Sequence, residues 1–297
     1  MKVAYLCVRI SFLLIAGLVV GCGDHSGEEG MGLIRSRVDS AFNAGKSNFN
    51  NRPDAAYYFF SQAMILCDSV KYLEPMPKIL YNLAMLTVVS GNMKQALILF
   101  DSSLSLASKN KDHIIEANCY NTLGNIEKDL THPAKAREFF VKSRDIALQN
   151  KLNQQAGVAL GSLASLETNT VKSITLDMKA LDYLSKEKGT EQERAYIVIN
   201  LANRQSSPDS AISLYKKAIE LGKKSGNYEI LASAYNNLAY SYLEKKLTDS
   251  AEVCIRDFGI PAAEKSGSAD WLWNLYDSWA DVLKSRNKFK ESLRIKE

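Results

Sequence analysis

The sequence predicts an all-α solenoid of about seven helix pairs, and three observations carry that expectation. Turn formers are scarce, with 16 Gly and 6 Pro in 297 residues, which argues against many-stranded architectures and extended disorder. Apolar residues recur at helical spacing rather than in alternation. From residue 33 onward the chain also repeats itself, which points to a stack of small units, each contacting only its neighbours.

The elements follow in chain order. Residues 1–21 carry Lys2 and Arg9, then an apolar run from Ile10 to Val20, the form of a secretory signal. The run is shorter than the roughly 20 residues that cross a bilayer, so cleavage is expected. Its tail, Leu18-Val19-Val20-Gly21-Cys22, resembles the bacterial lipobox, in which the cut falls before a lipidated cysteine. That resemblance implies acylation (palmitate and diacylglycerol) at Cys22 and a lipoprotein of the bacterial cell envelope, held on the outer membrane and facing the periplasm or the surface. Residues 22–32 lack large apolar residues until Met31 and read as a flexible tether. Loss of Lys2 and Arg9 with no acid lowers the formal charge from +4 to +2, which leaves no nucleic-acid footprint.

Residues 33–297 form the array. Tyr81-Asn82-Leu83-Ala84, Tyr120-Asn121-Thr122-Leu123-Gly124 and Tyr235-Asn236-Asn237-Leu238-Ala239 are its clearest copies. The small residue after the leucine falls at Ala44, Ala84, Gly124 and Ala164, an even spacing of 40, and then at Ala202, Ala239 and Ala280. A second set of small landmarks, Ala56, Ala96, Ala136, Ser173, Ala211, Ala251 and Ser292, marks a second helix in each unit, where small residues let two backbones approach. Pro53, Pro133 and Pro208 each stand three residues before such a landmark, the place of a first-turn proline. In units four and five the two landmarks are only 9 residues apart, so a tighter turn is expected there. Gly259 and Pro261 predict a break or kink in the second helix of unit six.

This pattern resembles the tetratricopeptide repeat, quoted on Tyr235, Leu238-Ala239, Tyr242 and Ala251, and on Tyr120, Leu123-Gly124, Ala136 and Phe140. The resemblance implies a right-handed superhelix whose first helices line a concave groove. Carried over, the groove face is Tyr81, Met85 and Val88; Asn118, Asn121 and Asn125; Ile199 and Asn203; Asn236, Tyr240 and Leu243; then Asp277 and Asp281. The spacing of Asn118, Asn121 and Asn125 puts three amides on one helical stripe, and carboxamides both donate to and accept from an extended peptide backbone. No cationic clamp for a C-terminal carboxylate stands at the corresponding positions.

The implied function is a membrane-anchored scaffold that binds a protein or peptide. A sensory or regulatory module and an oligosaccharide-capture lipoprotein are the alternatives. His25, His113 and His132 are scattered and no phosphate loop or nucleophile elbow occurs, so no enzyme, metal or cofactor is expected. Cys67, Cys119 and Cys254 read as small buried hydrophobes, with pairing of Cys67 and Cys119 the alternative. Tyr276 and Trp279 read as repeat core, while one of Trp271 and Trp273 is expected to be exposed. The surface around Trp279, Leu283, Phe289 and Leu293 is expected to be only partly covered and to serve self-association or partner docking.

Overall fold

The computed structural model describes residues 26–49 and 52–296. The signal segment and Cys22 lie outside the described residues. Within them the chain is all α-helix, in fourteen helices. They are α1 (Ser26–Asn48), α2 (Pro53–Ser69), α3 (Met76–Val89), α4 (Met93–Asn110), α5 (His113–Asp129), α6 (Pro133–Gln149) and α7 (Asn153–Ser165). Then come α8 (Thr170–Ser185), α9 (Glu191–Asn203), α10 (Pro208–Ser225), α11 (Tyr228–Glu244), α12 (Thr248–Val253, Cys254–Gly259 and Ile260–Ser266 in one run), α13 (Ala269–Ser285) and α14 (Phe289–Lys296).

Local chemistry sets the starts. Pro53, Pro133 and Pro208 are each the first residue of their helix, where the missing N–H costs nothing. Elsewhere the N-cap side chain of Asp112, Asn169, Asn227 or Ser268 accepts from the backbone N–H three residues on, satisfying a donor the helix itself cannot pair. At the front, α1 begins at Ser26, so residues 26–32, expected as tether, are helical. They prolong a helix anchored by buried Val38, while Gly30, Gly32 and Leu33 stay exposed.

The chain divides into two compact bodies, one ending at Leu106 and one beginning at Ala107. In the first, α1 pairs with α2, and α3 with α4 as far as Leu106. Phe60 is fully buried, with the rings of Phe42 and Phe49 at 5.4 and 6.4 Å. The small residue facing Phe60 is Gly45, where a Cβ would stand 2.7 Å from the ring. Ala44 is only half-buried, so the first landmark shifts by one residue from the position read in the sequence.

The second body holds five helix pairs, α5/α6, α7/α8, α9/α10, α11/α12 and α13/α14. One packing rule runs through both bodies. Four residues after five of the second-helix landmarks a large side chain fills the pair: Phe60, Phe100, Phe140, Tyr215 and Ile255, all buried. Seven residues after the landmark comes a buried small one: Ala63, Ser103, Ser143, Ala180 and Ala218. Ser103 and Ser143 donate to the carbonyls of Pro77 and Ala117 in their partner helices, at 2.7 and 2.8 Å, so these buried hydroxyls are satisfied.

α12 keeps this rule by a different route. Cys254–Gly259 is a π-helical turn, in which the Ile260 N–H reaches the Ile255 carbonyl five residues back. The extra residue turns Phe258 outward and brings Gly259 into the buried small site, where a Cβ would stand 2.6 Å from Leu275. Pro261 is accommodated just beyond, so the expected break is a one-residue insertion inside a continuous helix. The turns after α7 and α9 carry no left-handed residue, whereas those after α3, α5, α11 and α13 have Gly91, Thr131, Lys246 and Asn287 at positive φ. The expected tighter turn is not found: the connections 166–169 and 204–207 are one residue longer than 130–132, and the short landmark spacing of units four and five comes from first helices that end one residue past Ala164 and Ala202, where α5 runs on to Asp129.

Cys67, Cys119 and Cys254 are buried and form no disulfide with one another, and burial pushes the thiols of Cys67 and Cys254 up to about 11, which keeps them protonated and inert.

Candidate inner-face site

In the second body the first helices of successive pairs, α5, α7, α9, α11 and α13, touch one another in order, while their second helices are held apart. The first-helix side is therefore the inner face of this body. Three rows run across it, set by helical spacing from the small landmark.

The row three residues before the landmark forms the floor. Asn121, Gly161, Ile199 and Asn236 are all buried in it. Gly161 is small because Ile197 of α9 approaches it, and a Cβ there would meet Ile197 Cδ1 at 2.1 Å. Asn236 Oδ1 accepts from Ser278 of α13 at 2.7 Å. Asn121 is 8% exposed, and its Oδ1 has no hydrogen-bond partner, an expense that burial normally forbids.

Two flanking rows are open to solvent. One residue after the landmark stand Asn125, Ser165, Asn203, Tyr240 and Asp281; six before it stand Asn118, Val158, Tyr196, Ser233 and Asn274. Asn203 is shared, since its Oδ1 accepts from the Tyr215 hydroxyl and from Asn237 Nδ2 at 3.4 Å. The Tyr240 hydroxyl sits 3.0 Å from Ser278 Oγ. The result is a polar trough with carboxamides and hydroxyls on both rims and a floor that water does not reach.

Of the residues assigned to a groove from sequence, Asn118, Asn121, Asn125, Asn203, Asn236 and Tyr240 all fall on this inner face. Ile199 belongs to its closed floor. Tyr81 and Met85 belong to the first body, where Tyr81 is a packing residue: its ring sits edge-on to Phe100 at 5.8 Å. The same turn toward the second helix is made by Tyr120 on Phe139 and Tyr235 on Phe258. Tyr196, Ser165 and Asn274 were not singled out in the sequence. The signal was available, because they stand at the same offsets from Ala202, Ala164 and Ala280 as Asn118 and Asn125 do from Gly124.

At the end of the second body, Trp273 is 72% exposed and Trp271 half-buried, so one of the two is indeed exposed. Tyr276 lies at the surface and stacks on Trp279 at 6.5 Å. Leu283, expected at the surface, is buried, whereas Phe289 and Leu293 are exposed. The helix spacing explains the split: α14 turns Ser292 inward and the two apolar residues that flank it outward.

With this geometry in hand, the comparisons agree on the fold. The family model described as "Tetratricopeptide repeat" matches residues 76–149. The apo form of the quorum sensor NprR from B. thuringiensis superposes with a TM-score of 0.65 at 14% identity, over 99% of this chain and 84% of that one. The Rap conjugation gene regulator of the plasmid pLS20, in complex with the Phr* peptide, gives a TM-score of 0.59 at 13% identity, over 94% and 80%. BtubC (BKLC) from P. vanneervenii gives 0.53 at 16%, over 80% and 92%. No curated protein matches the chain. The chain thus has the tetratricopeptide-repeat fold, helix pairs stacked as in an α-solenoid.

Proposed function

We propose that this protein is a lipid-anchored scaffold of the bacterial cell envelope that holds an extended protein or peptide segment along the inner face of its second body. The observation that carries the reading is the trough itself: a closed floor containing the unpartnered Asn121 carbonyl, flanked by open rows that include Asn118, Asn125, Asn203 and Tyr240. An extended backbone presents alternating N–H and C=O groups, and a carboxamide pairs with both. Stacked helix pairs hold these amides in place before any ligand arrives, which lowers the ordering cost of binding. A Rap regulator of the same fold is described in complex with a peptide, which supports the reading. The likeness to a quorum sensor favours, as a second reading, a role in which the bound segment is a signal rather than a structural partner.

Two experiments test the halves separately. Panning a random peptide library on the detergent-solubilised full-length protein is expected to enrich binders. Asn118→Ala, Asn121→Ala and Asn125→Ala together should weaken them at least tenfold, since each lost hydrogen bond contributes about 0.5–1.5 kcal/mol. Unchanged affinity in the triple variant would place the site elsewhere. For the anchor, Cys22→Ser is expected to move the protein from the membrane to the soluble fraction. An intact mass with an unmodified Cys22 would remove that half of the proposal.

A further inference from the structure

Repeat four breaks the packing rule. Four residues after its landmark Ser173, where five other pairs place phenylalanine, tyrosine or isoleucine, stands Asp177, with no exposed surface at all. Its Oδ2 accepts from Arg204 Nη1 at 2.8 Å, while its Oδ1 has no partner. Arg204 caps the end of α9, and its Nη2 also donates to the Ala164 carbonyl at the end of α7 at 3.3 Å. Ser173 donates to that same carbonyl at 2.8 Å. The next residue back, Asn203, is tied to Tyr215 of α10 and Asn237 of α11. One dipeptide at the end of α9 therefore links α7, α8, α10 and α11, and it carries an inner-face amide.

We propose that the Asp177–Arg204 pair is a proton-operated latch between the fourth and fifth repeats: ionised Asp177 clamps the end of α9, and protonation releases Arg204 and loosens the segment bearing Asn203. The groups facing Asp177 are few. From α9 it meets the Arg204 guanidinium, which is the charged side chain acting on it; the end of α7 supplies the Ala164 carbonyl to that guanidinium, and α8 supplies the Ser173 hydroxyl. Burial pushes the carboxyl up to about 6, against an opposing pull from Arg204, so the latch changes state within the range an envelope protein meets. Arg204 keeps 20% of its side chain at the surface, which gives a released guanidinium a path to water.

Two consequences run in opposite directions, and together they identify the device. Because the folded value lies above the unfolded one of 3.8, the contribution of Asp177 to global stability is full below about pH 4 and is lost as pH rises through about 6. Through this one group acid favours the folded state, by up to roughly a hundredfold in the folding equilibrium. The same protonation frees the end of α9.

The inference bears on the proposed binding function through Asn203, but its test needs no ligand. Hydrogen exchange of the full-length protein, corrected for intrinsic pH dependence, is followed over residues 201–207 from about pH 5 to about pH 8. Protection in the wild type is expected to fall as the pH drops, with a midpoint near 6, and Asp177→Asn is expected to show low, pH-independent protection throughout. Should that variant fail to fold, Arg204→Gln removes the clamp from the other side and is expected to give the same flat, low profile. A flat wild-type profile, or a wild-type midpoint surviving in either variant, overturns the latch.

Discussion

Arg204→Met is expected to lower stability by about 1–3 kcal/mol at neutral pH, because the buried carboxyl loses its counter-charge and must take up a proton, and the Ala164 carbonyl loses a donor. The loss has a pH signature. Without Arg204 nothing offsets the desolvation that already raises the Asp177 carboxyl, so its folded value climbs further above 3.8 and the penalty relative to wild type grows as pH rises above about 6. Below about pH 6, where the carboxyl is neutral in the folded wild type and variant alike, the penalty should largely vanish. Replacing both residues, Asp177→Leu with Arg204→Met, is expected to be neutral or to stabilise by about 1–4 kcal/mol, since a packed apolar pair needs no desolvated charge. Urea denaturation followed by circular dichroism at acid and neutral pH decides this. A single Arg204→Met variant as stable as the wild type at neutral pH would show that the pair contributes nothing to the joint.

The second large effect lies in repeat three. A Cβ at Gly124 would stand 2.4 and 2.5 Å from Phe140 Cε1 and Cδ1, and Phe140 is fully buried, so neither side can give way cheaply. Gly124→Ala is expected to cost about 1–3 kcal/mol through overpacking, and Phe140→Ala about 3–5 kcal/mol through the cavity it leaves. Gly124→Ala combined with Phe140→Leu should recover part of the loss, because the smaller side chain makes room for the methyl group. The same urea titrations read these variants and Phe140→Leu alone, and strict additivity of the Gly124→Ala and Phe140→Leu losses in the double variant would contradict direct contact.

The repeat was legible because its landmarks are small residues whose size is dictated by a neighbouring backbone or ring. Gly124 against Phe140, Gly161 against Ile197 and the first-turn prolines are local rules that survive in any copy. The places where reading failed are those where a longer-range choice intervened. Ala44 and Gly45 are both small, and only the position of Phe60 decides which one faces it. Phe258 and Gly259 could not be assigned without knowing that α12 inserts a π turn to bring the glycine inward. Tyr81 looked like a groove residue by analogy with the amides at equivalent offsets, but a tyrosine buries more area against Phe100 than it could by standing on the rim. Asp177 was overlooked because the search followed the small landmark Ser173 and not the large residue four places on, where one charge among aromatic and aliphatic residues is the anomaly. Tyr196, a rim residue, was missed although Asn203 on the same helix was named, because the search followed amides and not the offset from Ala202.

The central claim is that a partner segment lies on the inner face of the second body and nowhere else on it. A photo-reactive amino acid placed in the protein in its native cells at Asn125, Asn203 or Tyr240 on the open rim, and in separate variants at exposed Lys179 or Lys217 on the second helices, tests it directly. The account predicts discrete cross-linked species from the three rim positions, lost together in the Asn118, Asn121 and Asn125 triple alanine variant, and none from the second-helix positions. Cross-links arising equally from Lys179 and Lys217, or rim cross-links that persist in the triple variant, would contradict it.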